Sequence, residues 1–217
     1  MDHVTRLVLV RHGETAWNAL LRIQGHTDIP LNATGLWQAQ RVAAALADEG
    51  LQAVYSSDLQ RAATTAAAIA QRAGLAVQHT VDLRERAFGA FEGASFTEIE
   101  QRWPEDARRW RQREPAFQPG GGESLLQFSQ RCVGAALGIA AQHPGQTIAL
   151  VAHGGVLDCL YRAATGLALD APRSWQLGNA TVNRLLYTGE GLSLVGWNDN
   201  AHLQVGVGDD GPPPADV

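Results

Sequence analysis

Short apolar runs alternate with segments of helical spacing along most of this chain, and that alternation restricts the fold more than any other feature. Residues 7–10 (LVLV), 53–56 (AVYS), 75–79 (LAVQH) and 147–152 (TIALVA) each read as a strand. Residues 34–49 bring Leu36, Ala39, Val42, Ala43 and Leu46 to helical spacing and end at Gly50, a residue suited to closing a helix. Ser57 is expected to cap a helix that runs to about Arg72 and stops at Gly74. Residues 124–142 and 156–165 supply two more helices, and 181–187 with 192–197 close the chain as a hairpin. Strands joined through helices pair in parallel and take cover on both faces. The expected fold is α/β: a three-layer α/β/α sandwich with a mainly parallel central sheet. Residues 86–122, rich in Trp, Arg and Pro, break the rhythm and read as an insertion over the carboxyl end of the strands. Residues 1–205 are expected to form one catalytic domain, and 206–217, rich in Gly, Asp and Pro, a disordered tail.

Composition narrows the chemistry. A net charge of −5 over 217 residues disfavours a nucleic-acid partner. All seventeen basic residues are arginine, which removes a lysine phosphate loop and a lysine Schiff base. Arginine instead suits planar recognition of phosphate or carboxylate. Cys132 and Cys159 lack metal-type spacing and suggest a reducing compartment. No cationic-apolar leader precedes Leu7, and no apolar run is long enough for a membrane span, so the expected location is the cytoplasm.

Open parallel sheets bind ligands beyond the carboxyl ends of their strands. Arg11 and His12 follow the first run, Arg61 the second, Arg84 and Glu85 the third, and His153 with Gly154 and Gly155 the fourth. Two histidines, several arginines and a glutamate on one rim point to phosphoryl transfer through histidine. Neutral imidazole is a competent nucleophile, provided that its other nitrogen donates to a fixed acceptor. Arg11, Arg61 and His153 would hold the equatorial oxygens, and Glu85 would protonate the leaving alkoxide. Other phosphatase chemistries fail on residues. The sixth residue after Cys132 is Gly138 and after Cys159 is Thr165, where a cysteine phosphatase needs Arg; an Asp-x-Asp is absent from the first strand's end. No His/Asp cluster has metal-ligand spacing, so a metal-independent site with no cofactor is expected.

Arg11-His12-Gly13-Glu14-Thr15 with Asn18 resembles the signature of the histidine phosphatase superfamily, in its phosphoglycerate-mutase-like branch. Further blocks follow in the family's order: Arg22-Ile23-Gln24-Gly25, Ser57-Asp58-Leu59-Gln60-Arg61, Leu83-Arg84-Glu85, Gly122-Glu123-Ser124 and Ala152-His153-Gly154-Gly155. The resemblance implies that His12 is phosphorylated, that Arg11, Arg61 and His153 complete the phosphate pocket, and that Glu85 donates the proton. It also places Asn18, Gln24, Gly25 and Gly154 around the phosphate.

The family contains phosphatases and mutases. Here Glu85 is followed by Arg86-Ala87-Phe88-Gly89 without the histidine of family mutases, lysine is absent, and the second histidine precedes Gly154-Gly155 rather than Gly-Asn. A phosphoric monoester hydrolase of the histidine acid type is therefore expected, acting on a small phosphorylated metabolite. A cofactor-dependent phosphoglycerate mutase is the alternative, with Trp110-Arg111 in its favour, and a non-catalytic phosphate-binding domain comes third. Trp103, Trp110 and Phe117 could wall an apolar part of the substrate, and Arg86, Arg108, Arg109, Arg111 or Arg113 could meet a second anion. The expected partner is a small phosphomonoester, with no nucleic acid and no membrane; a homodimer stays open.

Overall fold

The computed structural model describes residues 4–204 and 211. The expected tail, 206–217, lies outside the described residues apart from residue 211. Six strands form one sheet: β1 (Thr5–Arg11), β2 (Ala53–Ser57), β3 (Val77–Thr80), β4 (Thr147–Ala152), β5 (Val182–Thr188) and β6 (Gly191–Asp199), in the order β3-β2-β4-β1-β5-β6. The first four in that order are mutually parallel, whereas β5 pairs antiparallel with β1 and β6 antiparallel with β5. The sheet is thus mainly parallel, as the alternation of runs and helical segments demands.

Strand periodicity assigns the two faces. Leu7 and Leu9 of β1 with Ile148 and Leu150 of β4 pack against α6 (Leu125–Ala140) and α7 (Gly154–Thr165). Val8, Val10, Ala149 and Val151 point the other way, onto α2 (Ala33–Ala45) and α3 (Gln60–Ala73). Two apolar layers, one on each side of the sheet, yield the three-layer sandwich. A third cluster, with Phe91, Ile99, Ala107 and Phe117 buried at its centre, holds the inserted segment with α4 (Phe96–Arg102) and α5 (Pro104–Arg111). Trp103 and Trp110 pack against this cluster. Trp103 and Phe117 therefore build the insertion's core rather than wall a substrate.

Three local expectations shift. Helix α2 ends at Ala45, before Gly50, and its buried stripe is Gly35, Ala39, Val42 and Ala43; Leu36 lies off that stripe and is half exposed. Ser57 is the last residue of β2 rather than a cap, and Leu59 precedes α3 without a side-chain cap. The Ser57 hydroxyl accepts from Leu59 N instead, turning the chain between strand and helix.

The chain leaves β1 for α2 on one face and leaves β4 for α7 on the other. These two strands are neighbours, with Arg11 opposite Ala152. A crevice therefore opens between their carboxyl ends, where His12 and His153 follow directly.

Candidate active site

The His12 backbone N–H continues the ladder to Ala152 O at 3.0 Å, which locks the first residue beyond β1 beside the last of β4. The two imidazoles consequently meet, their centroids 5.1 Å apart. The Nδ1–H of His12 donates to Gly13 O at 2.7 Å. That bond selects the tautomer and leaves Nε2 with its lone pair available. His12 and His153 are both buried. For His12, burial first, then Arg61 and Arg11, push the pKa well below the ordinary imidazole value. For His153, burial first, then Arg61, His12 and Arg11, do the same. Both rings are thus held neutral, and a neutral His153 supplies one N–H donor.

Arg61 enters from the first turn of α3 and is fully buried. Its Nη1 and Nη2 donate to Thr27 O and Gly25 O at 2.9 and 2.8 Å, which fixes the guanidinium plane. Arg11 is anchored through Nη1 to Leu177 O at 2.6 Å. Burial, the largest effect, lowers its pKa to about 10, and the Glu85 carboxylate opposes the shift. Arg11 Nε, Arg61 Nε and both ring nitrogens of His153 are buried without a protein partner. Orphaned donors of this kind cost stability unless an acceptor meets them, so a cluster of them marks a place built for an anion.

Glu85 follows β3 through a short 3₁₀ turn, Val81–Leu83. Its Oε2 accepts from Gly155 N at 3.0 Å and its Oε1 from Arg86 N at 2.9 Å. A Cβ at Gly155 would overlap Glu85 Oε1, so the glycine is what lets the start of α7 approach the carboxylate. Arg11, His12, Asn18, Gln24, Gly25, Arg61 and Glu85 line one cavity of about 200 Å³, together with Arg22, Ile23 and Phe88. Gly154 opens α7 beside Arg11 and lines the adjoining cavity. Gly25 adopts a left-handed φ of 54°, and a Cβ there would collide with Glu92. Asn18 closes a capping box with Thr15 at the start of the short helix α1 (Ala16–Ala19), so its Oδ1 faces the backbone of its own turn.

Several contributors escape a reading of the sequence. Asn179 donates to His12 O at 2.9 Å and to Gly13 O and Asn18 Oδ1 at 3.3 Å, tying the His12–Gly13 turn to Asn18. Thr65 accepts from Gly13 N at 3.1 Å while donating to Arg61 O; its place four residues after Arg61 was the available signal. The His26 ring donates to Glu85 O at 2.9 Å, and Glu92 accepts from the backbone N–H groups of His26, Thr27 and Phe88. Of the arginines considered for a second anion, Arg108, Arg109 and Arg111 pair with Glu105, Glu114 and Glu100 at the surface. Arg86 and Arg113 line the adjoining cavity. Among the described residues no group of three His, Cys, Asp or Glu could hold a metal ion, and no helix is long and apolar enough to cross a membrane.

The model of the histidine phosphatase superfamily (branch 1) matches residues 7–200. An Arabidopsis thaliana protein named phosphoglycerate mutase-like protein 4 is 42% identical over 202 residues, 91% of this chain and 86% of the relative. A second Arabidopsis thaliana protein, named metal-independent phosphoserine phosphatase, is 39% identical over 93% of this chain and 84% of its own length. A solved structure of phosphoserine phosphatase from Entamoeba histolytica, in complex with 3-phosphoglyceric acid, superposes with a TM-score of 0.83 at 30% identity, covering 92% of this chain and all of that one.

Proposed function

The chain belongs to branch 1 of the histidine phosphatase superfamily, and from that premise we propose that it hydrolyses small phosphomonoesters through a phosphohistidine at His12, without a metal. The observation that carries this reading is the pairing of a free His12 Nε2, fixed by the Gly13 bond, with unpartnered donors on Arg11, Arg61 and His153. Nε2 attacks phosphorus as the ester P–O bond breaks, and the donors hold the charge that spreads over the equatorial oxygens. Glu85 gives its proton to the departing alkoxide. Water then attacks the phosphohistidine; Glu85 takes a proton from it, the P–N bond breaks, and phosphate leaves with His12 neutral again. Residues 1–205 act as one catalytic unit in this scheme, with 86–122 as a lid over the site.

A mutase reading draws on the name of one relative. Against it, Arg111 of the Trp110-Arg111 pair is engaged with Glu100 at the surface, away from the cavity. The test is phosphate release with excess EDTA, combined with an alkaline quench that preserves phosphohistidine. The wild type is expected to release phosphate and yield an alkali-stable, acid-labile phosphoenzyme, and His12→Ala neither. Net isomerisation of 3-phosphoglycerate without phosphate release would favour the mutase instead, and loss of activity in EDTA would refute metal independence.

A further inference from the structure

The turn that supplies the acceptors of Arg61 also reaches Glu85. Gly25 O and Thr27 O hold the Arg61 guanidinium. The residue between them, His26, is half-buried, and its Nε2–H donates to Glu85 O at 2.9 Å. A carbonyl oxygen only accepts, so this contact places a proton on Nε2. His26 does not line the phosphate cavity, and its ring meets the site through Glu85 rather than through a ligand.

The ring is not needed to hold its own turn. Glu92 does that: Oε1 accepts from His26 N and Oε2 from Thr27 N, both at 3.0 Å, and Oε2 also accepts from Thr27 Oγ1 at 2.7 Å. None of these bonds uses the imidazole. Nor does the ring carry the segment before Glu85. Arg131 reaches over from α6 and donates through Nη1 to Asp82 O at 2.9 Å and to Arg84 O at 3.1 Å. Glu123 fixes Arg131 in turn, accepting from its Nε and Nη2 at 2.8 and 2.7 Å. Arg131 Nη2 also touches Glu85 O, at 3.3 Å, so the shorter of the two bonds to that oxygen is the one from His26.

What His26 adds is control of one peptide plane. The Glu85 C=O and the Arg86 N–H belong to the same rigid amide. That N–H donates to Glu85 Oε1 at 2.9 Å, while Gly155 N holds the other carboxyl oxygen. A donor on the amide oxygen fixes the orientation of the plane and strengthens its N–H as a donor. A relay thus runs from His26 Nε2–H through the 85–86 amide to the Glu85 carboxyl group. We propose, resting on the reading of Glu85 as proton donor, that His26 is a positioning residue for that carboxyl group. Its ring N–H sets the 85–86 amide so that the carboxyl meets the leaving oxygen. The same short turn fixes Arg61 through its carbonyls, so it also sets the spacing between the proton donor and the guanidinium.

The experiment measures kcat/KM for phenyl phosphate and p-nitrophenyl phosphate, which differ little in shape but greatly in leaving-group basicity, together with inhibition by inorganic phosphate. The ratio of phenyl to p-nitrophenyl ester reads proton donation, because the more basic phenolate needs the proton more. His26→Ala is expected to lower that ratio by about three- to tenfold, mainly through kcat. Phosphate inhibition should hold its wild-type value, because Arg61 keeps its main-chain acceptors. His26→Gln should restore the ratio, since its amide N–H can take the place of Nε2–H. Should His26→Ala fail to fold, His26→Asn replaces it, its shorter amide falling short of Glu85 O and lowering the ratio likewise. In Glu85→Gln, adding His26→Ala should lower the ratio no further. An unchanged ratio in His26→Ala or His26→Asn, no recovery in His26→Gln, a further fall in the double variant, or phosphate inhibition that weakens in step with the ratio each overturns the inference. If Glu85→Gln lowers the ratio and His26→Ala does not, the proton-donor reading stands and only His26 drops out. If Glu85→Gln leaves the ratio at its wild-type value, or neither ester is turned over, that reading fails and this inference with it.

Discussion

At the scale of single residues, the candidate site holds its rings neutral and its donors unpaired. In an unfolded chain His12 and His153 would titrate near about 6.5, whereas folded they lie well below it. From about 6.5 downward the unfolded state binds more protons, so stability rises with pH across that window and is lost on acidification. Denaturant midpoints taken from pH 7.5 down to about 5.5 should fall for the wild type and fall less steeply for His153→Gln; equal slopes would show that the buried rings do not drive the loss. Glu85 has a separable role. Glu85→Gln should slow esters of poor leaving groups by about 10²–10⁴-fold but p-nitrophenyl phosphate far less, because nitrophenolate departs without a proton. Equal losses on both substrates would assign Glu85 to positioning rather than proton donation.

At the scale of elements, the first turn of α7 does what no one side chain could. His153 precedes the helix, Gly154 lies against Arg11, and Gly155 N holds Glu85. The dipole of this terminus favours negative charge where phosphate would sit. Gly155→Ala tests that arrangement: its Cβ would push into Glu85 Oε1 and approach Phe128 at 3.0 Å. The carboxylate must then move, and turnover of poor-leaving-group esters should drop by about tenfold or more, read from the ratio of their kcat/KM to that of p-nitrophenyl phosphate. An unchanged ratio would mean that Glu85 acts equally well from another position. The insertion shows where element-level reading falters. Helices α4 and α5 are short, and their aromatic and arginine residues divide between an inner cluster and surface ion pairs that spacing does not distinguish.

At the scale of the whole molecule, the proposed function would use the orphaned donors of Arg11, Arg61 and His153 to receive an anion, and binding would then be linked to folding. Orthovanadate or phosphate at about 100 times its Kd should stabilise the fold by about 2.7 kcal/mol, raising the Tm by several degrees at about 2–4 °C per kcal/mol. Arg61→Gln should lose most of that rise in a thermal melt; a full rise in the variant would place the anion elsewhere. The strand-and-helix alternation was enough to determine a mainly parallel sandwich, because burying both faces of a sheet leaves a periodic trace along the chain. Residues directly beyond strand ends, Arg11, His12 and His153, were legible for the same reason: topology puts strand termini on one rim. What the linear order left undecided depends on contacts between distant segments. The link from Asn179 to His12, the pairing of Arg113 and Arg162 with Asp158, and the division of the insertion's aromatics into core and cavity wall exist only once the chain has closed on itself. No local pattern encodes them, since a hydrogen bond between positions 12 and 179 requires only that folding bring both to the same place.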